Sequence, residues 1–277
     1  MSAPVARRGG FSGRTWSARH VAILLQFARI GVIRKSQFRV EFLNQVVMDC
    51  AFYLAHVLFF EYLFDHTESI AGWSRGEVRV FLGFNFLSDA FGMIWLGQAW
   101  HLAADVKQGN LDPVRVRPAS PVVLYFFQRF SLEGVVNALI ALGYLGWAAR
   151  GHGVAPTLAN LALAAWAIAL CCWARVVLAV LYGIVEFHLV DSDLSRFAHV
   201  VFSEVNDKPL DVFGRRVRWL FVSLVPLGAL SWLPAAMLLG RIAPATALAH
   251  SAWIVVLGLG FCRAWRASFR RYESALG

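Results

Sequence analysis

PTLANLALAAWAIALCCWARVVLAVLYGIVEFHLV, residues 156–190, carries a single charged side chain, Arg175, before Glu186. About 20 mostly apolar residues in an α-helix cross roughly 30 Å of hydrocarbon, and this run is longer than that. A helix apolar on every face belongs in a membrane or at the centre of a large core. Composition decides between the two. Hydrophobic residues fill 58% of the 277 positions and charged residues 16%, with a mean hydropathy of +0.58. Soluble domains run nearer about 45–50% apolar and about 25% charged. The chain has too few polar residues to coat a water-soluble core, so its excess apolar surface faces lipid.

Working outward from this run, the same criterion predicts a first span over 40–64, a second over 80–103 and a third after Pro121 to about 149. Residues 156–190 are the fourth, and 246–265 are the last. Arg266, Arg270 and Arg271 follow that last span. Trp73, Trp100, Trp147 and Trp265 fall near span ends and suit interfacial belts. The fifth span has two readings. Hydropathy and the positive-inside rule choose 217–239, with Arg215, Arg216 and Arg218 inside. Pro226 and Pro234 break that stretch readily, however, which allows 192–210 to be the span and 217–239 a re-entrant helical pair.

The net charge of +9 is concentrated at the start. No acidic residue precedes Glu41, while Arg7, Arg8, Arg14, Arg19, Arg29, Arg34, Lys35 and Arg39 all do. Beside a span, such an arm marks the cytoplasmic face and favours anionic lipid headgroups rather than nucleic acid. Residues 21–33 are interrupted by Gln26 and Arg29 and lack a cleavage pattern, so they read as an amphipathic helix on the interface. Residues 1–35 form this basic arm and interfacial helix, and 36–277 a single transmembrane unit. Cys50, Cys171, Cys172 and Cys262 lack metal or disulfide spacing. No GxxxxGK[ST] motif occurs, and the one GxSxG spacing, Gly72–Gly76, falls between two apolar spans rather than on a strand-to-helix elbow, so no nucleotide site or catalytic centre is expected.

Asp49, Asn85, Asp89, Glu133, Asn137 and Arg175 lie inside apolar segments. Ionisable groups there are costly and face a bundle interior or an aqueous path. Asn85 and Asp89 share a helix face, as do Glu133 and Asn137. They are candidates for a substrate path or for interhelical hydrogen bonding. Arg175 is also placed to snorkel to the cytoplasmic interface.

Three stretches resemble the membrane permeases of bacterial ATP-binding-cassette (ABC) transporters, in the type-2 exporter branch. FFEYLFDHTESIAGWSRGEV (59–78) is similar to the first outer loop of the subgroup with two related permeases and a separate ATPase. VKQGNLDPVRVRPASP (106–121) is similar to its cytoplasmic turn, and KPLDVFGRRVRWLFVSLVPLGALSWLPAAMLLG (208–240) to its outer segment between spans five and six. Gly214 departs from the pattern, since relatives often carry proline there. The resemblance implies an all-α polytopic protein with six transmembrane helices, an N-terminal interfacial helix at 16–34, and the re-entrant pair between the fifth and sixth spans. It implies no cofactor on this chain, with ATP and Mg on two copies of a partner ATPase, and a second permease, related or identical. It implies a bacterial inner-membrane location with both termini cytoplasmic. Lys107, Gly109, Asp112, Arg115, Arg117 and Pro118 would belong to the turn that contacts the ATPase. A self-contained secondary transporter or channel, or a subunit relaying force without moving a solute, are the competing expectations.

Overall fold

The computed structural model describes residues 13–115, 117, 119–188 and 204–271. Among them the chain is all-helical. It runs through α1 (Gly13–Gln37), α2 (Arg39–Phe64) and α3 (Arg75–Trp95), then the short helices α4 (Leu102–Lys107), α5 (Asp112–Arg115) and α6 (Pro121–Phe126). After these come α7 (Leu132–Gly151), α8 (Leu158–His188), α9 (Arg215–Ser223), α10 (Trp232–Leu238) and α11 (Pro244–Arg271). Among the described residues four segments are long and apolar enough to cross a membrane: Arg39–Phe64, Leu132–Gly151, Leu158–Val185 and Pro244–Phe269.

Two expected spans are shorter than predicted, one at its end and one at its start. The second stops at Trp95, where Leu96 leaves helical geometry and a 3-10 turn, Gly97–His101, redirects the chain. The third does not start at Pro121. Residues 127–131 separate α6 from α7, and Ser131 caps α7 by accepting the Gly134 N–H at 3.2 Å. Both interruptions lie at the same end of the bundle. The fifth-span reading of 192–210 falls mostly outside the described residues. The stretch 217–239 is not one continuous helix: α9 and α10 flank a 3-10 turn, Leu227–Ala229, that follows Pro226.

Helix α3 packs along α7, and small residues let the two approach. A Cβ on Gly83 would sit 2.9 Å from the Leu145 side chain, and one on Gly134 would sit 2.7 Å from the Ile94 nitrogen. A capping box starts α3: the Ser74 N–H donates to Glu77 Oε2 at 2.8 Å, and the Glu77 N–H returns to Ser74 Oγ. At this end, residues 65–74 and 204–241 form a cap. Asp211 is its clasp, accepting from Trp73 Nε1 and Trp232 Nε1 (2.7 Å each) and from Arg218. Arg241 lies over the Trp73 ring at 4.5 Å and bonds Glu77 at 2.8 Å. Burial works to raise the Glu77 carboxyl, but the Ser74 N–H and Arg241 outweigh it and hold the group below its ordinary value.

At the opposite end a second core forms around Trp265, with Leu102, Leu111, Tyr125, Phe126, Val180 and Phe269. Trp73 and Trp265 are both fully buried rather than interfacial, whereas Trp147 is exposed. Those two tryptophans carry more value in the cores than at the headgroups, because each closes one end of the bundle. Helix α1 touches this second end at three places. Lys35 pairs with Glu133, the Ser120 N–H donates to His20 Nε2 at 3.0 Å, and Gly31 lies against Phe130, where a Cβ would be 2.6 Å from the carbonyl oxygen.

Candidate functional site

Between α2, α3, α8 and the cap lies a cavity of about 440 Å3. Its polar wall comprises Asp49 and Tyr53 from α2, Asp89 from α3, Arg175 and Tyr182 from α8, and Asp207 from the cap. Asp49 is ten residues into α2, about 15 Å along its axis, so the polar wall lies deep in the span. Burying so many ionisable groups is costly unless each is matched. Arg175 does not snorkel away: its Nη2 donates to Asp89 Oδ1 at 2.8 Å. Asp207 faces His56 at 3.4 Å and accepts from Asn85 Nδ2 at 3.3 Å. Asn85 and Asn206 also exchange amide bonds, with Asn85 Nδ2 donating to the Asn206 carbonyl at 3.0 Å and Asn206 Nδ2 to Asn85 Oδ1 at 3.1 Å. Asp49 accepts from Asn137 Nδ2 at 2.7 Å and from Gln45 Nε2 at 2.9 Å.

Five of the six intramembrane polar residues picked from sequence therefore gather about the cavity, in three separate groups: Asp89 with Arg175, Asn85 with Asn206 and Asp207, and Asp49 with Asn137. Glu133 is elsewhere, paired with Lys35. Sequence reading missed Asp207, Asn206 and Tyr53. Tyr53 was passed over as an aromatic on an apolar helix. Asn206 and Asp207 fall near the end of 192–210, the alternative fifth span, and only the cap's fold carries them over α3.

The second region is the turn from Gly97 to Pro121. Asp105 organises it: its carboxylate accepts from Gln98 Nε2 (2.5 Å), Tyr125 Oη (2.8 Å) and Asn110 Nδ2 (3.1 Å). Gly109 ends α4 in the left-handed region, φ 70°. Its N–H and that of Asn110 return to the Val106 and Asp105 carbonyls at 3.3 and 2.9 Å, a closing geometry that favours glycine. Lys107 closes α4, Asp112 and Arg115 bound α5, and Arg117 is exposed beyond it. Pro118 lies outside the described residues. Leu111, Val114 and Leu102 anchor the turn in the Trp265 core, against α8 and α11. Among the described residues no group of three His, Cys, Asp or Glu side chains is arranged to hold a metal ion.

Residues 50–275 match the family described as ABC-2 family transporter protein. The chain belongs to that family. It is an ABC-2 permease, a multi-pass membrane protein of an ABC transporter. The matched region takes in the cavity walls on α3 and α8, the cap and the Asp105 turn, while α1 precedes it. Comparison with curated proteins and with solved structures gives no match.

Proposed function

We propose that this ABC-2 permease is the transmembrane path of an ATP-driven exporter whose ATPase is a separate subunit present in two copies. Six spans, with the α9–α10 pair re-entrant at the outer surface, are completed by a second permease, related or identical. Both termini and the Asp105 turn then face the bacterial cytoplasm. ATP and Mg belong to the ATPase. The observation that carries this reading is the attachment of the turn. Its short helices share one buried core with α8 and α11, so a push on the turn moves two long spans as rigid bodies. His20 and Lys35 add α1 to the same unit through Ser120 and Glu133. Lys107, Gly109, Asp112, Arg115, Arg117 and Pro118 make up the docking surface, with exposed Arg117 suited to a partner carboxylate.

The test is affinity purification of the tagged chain from its native membrane. The expected companion is a stoichiometric ATPase with a phosphate loop, released by the charge reversals D112K and R117E together. A chain that purifies alone, or with only itself, would shift the assignment to a self-contained transporter or channel.

A further inference from the structure

The cavity's charges do not balance. Asp89 has Arg175 and Asp207 faces His56, but among the described residues Asp49 is held only by the neutral amides of Asn137 and Gln45. Even with His56 protonated, one negative charge is left over deep in an apolar bundle. A second observation points the same way. Tyr53 is 6% exposed and on the cavity wall, yet its buried hydroxyl has no hydrogen-bond partner among the described residues. It lies within electrostatic reach of both Asp49 and Asp89. A buried polar group left unmatched in a native structure calls for an explanation. The remaining walls are aromatic and aliphatic: Phe52, Met93, Leu178, Leu227 and Leu230.

We infer that the cavity binds an amphipathic organic cation, an ammonium-type group carried on an aliphatic or aromatic body. The cationic group takes the place opposite Asp49, with the Phe52 and Tyr53 rings beside it supplying the aromatic faces that such cations favour. The body of the ligand lies along the leucines toward the cap. The carboxylates do not converge as a metal site requires, and the volume suits a small amphiphile rather than a polymer. This inference rests on the exporter reading for the ligand's role as cargo, but binding itself can be measured apart from it.

The experiment uses the full chain in phosphatidylcholine nanodiscs, titrated with radiolabelled dodecyltrimethylammonium. Saturable binding is expected, displaced by tetraphenylphosphonium and not by dodecyl sulfate or dodecyl maltoside. D49N should weaken it at least tenfold, whereas D65N, at the exposed end of α2, should leave it unchanged. The D49N fold is protected because the new side chain keeps an oxygen to accept from Asn137 Nδ2, while its amide N–H faces exposed Gln45, whose terminal amide can turn its oxygen to accept it. A179F tests the volume independently by filling the cavity from α8 without touching a charge, and it too should abolish binding. Absence of saturable binding, equal competition by dodecyl sulfate, or wild-type affinity in D49N or A179F would overturn the inference. Retention of the ATPase is scored separately. Binding without an ATPase would remove the exporter reading and keep the cation site, and an ATPase without binding would do the reverse.

Discussion

Neutralising one member of the Asp89–Arg175 pair should cost much more than neutralising both in proportion. The pair joins α3 to α8 across the cavity at 2.8 Å, with side-chain exposures of 30% and 24%. Two unit charges about 4 Å apart attract by about 4 kcal/mol at an effective dielectric near 20. Removing one partner of a fully buried pair costs about 3–5 kcal/mol, mostly from the charge left behind. The residual exposure here allows partial rehydration, so D89N or R175Q alone should cost about 2–3 kcal/mol. The double variant D89N/R175Q leaves two neutral hydrogen-bonding groups and no stranded charge. It should recover about 1–2 kcal/mol relative to the sum of the singles. The assay is the thermal midpoint of the purified chain in one fixed detergent and lipid mixture, with fluorescence and size exclusion as parallel readouts. Additive losses, or an R175Q midpoint equal to that of the wild type, would refute the claim that this pair fastens α3 to α8.

Three further outcomes follow from other parts of the structure. Trp265→Ala empties the centre of the second core and should cost about 3–5 kcal/mol in thermal stability, while Trp265→Phe should be much milder, since the indole N–H it removes has no partner among the described residues. Asp105→Ala removes three hydrogen bonds from the turn and should cost about 2–4 kcal/mol locally, read as faster tryptic cleavage after Lys107 with the spans intact. Glu77, in the first turn of α3 ahead of its apolar run, has a carboxyl held below its ordinary 4.5. Its contribution to the cap is therefore complete above that value and is lost as pH falls through the lower folded value. The thermal midpoint should drop over that acidic range in the wild type and drop less in Glu77→Gln.

Hydropathy reveals the long spans because it sums over some 20 residues, and an isolated Arg175 or Asp49 cannot cancel such a sum. It is blind to the breaks at Leu96 and at 127–131, since Trp95, Leu96, Phe126 and Phe127 are as apolar as any helix interior. The signals that were available are local ones: Gly97 with Gln98 at the first break, and Ser131 capping toward Glu133 at the second. The burial of Trp73 and Trp265 was illegible for a related reason. A tryptophan near a span end satisfies the rule for an interfacial belt whether it points outward or closes a core. Sequence placed Asp49, Asp89 and Arg175 inside the bundle but could not pair them. Asp89 and Arg175 are 86 positions apart and Asp49 and Asn137 are 88, so only the packing of α3 with α8 and of α2 with α7 brings each pair together. The 97–121 turn shows the opposite case: Gly109 announced a turn, and its left-handed backbone delivers one.

The proposed role is that of the passive membrane half of an ATP-driven exporter. ATP-dependent transport tests it most directly, in sealed inside-out vesicles containing the chain and its co-purifying ATPase, with labelled amphiphiles of positive, negative and zero charge. The account predicts accumulation of amphiphile that requires ATP and the Asp105 turn, and that stops when the ATPase's phosphate-loop lysine is replaced. Flux that persists without ATP, or ATP hydrolysis that moves none of the three, would contradict it.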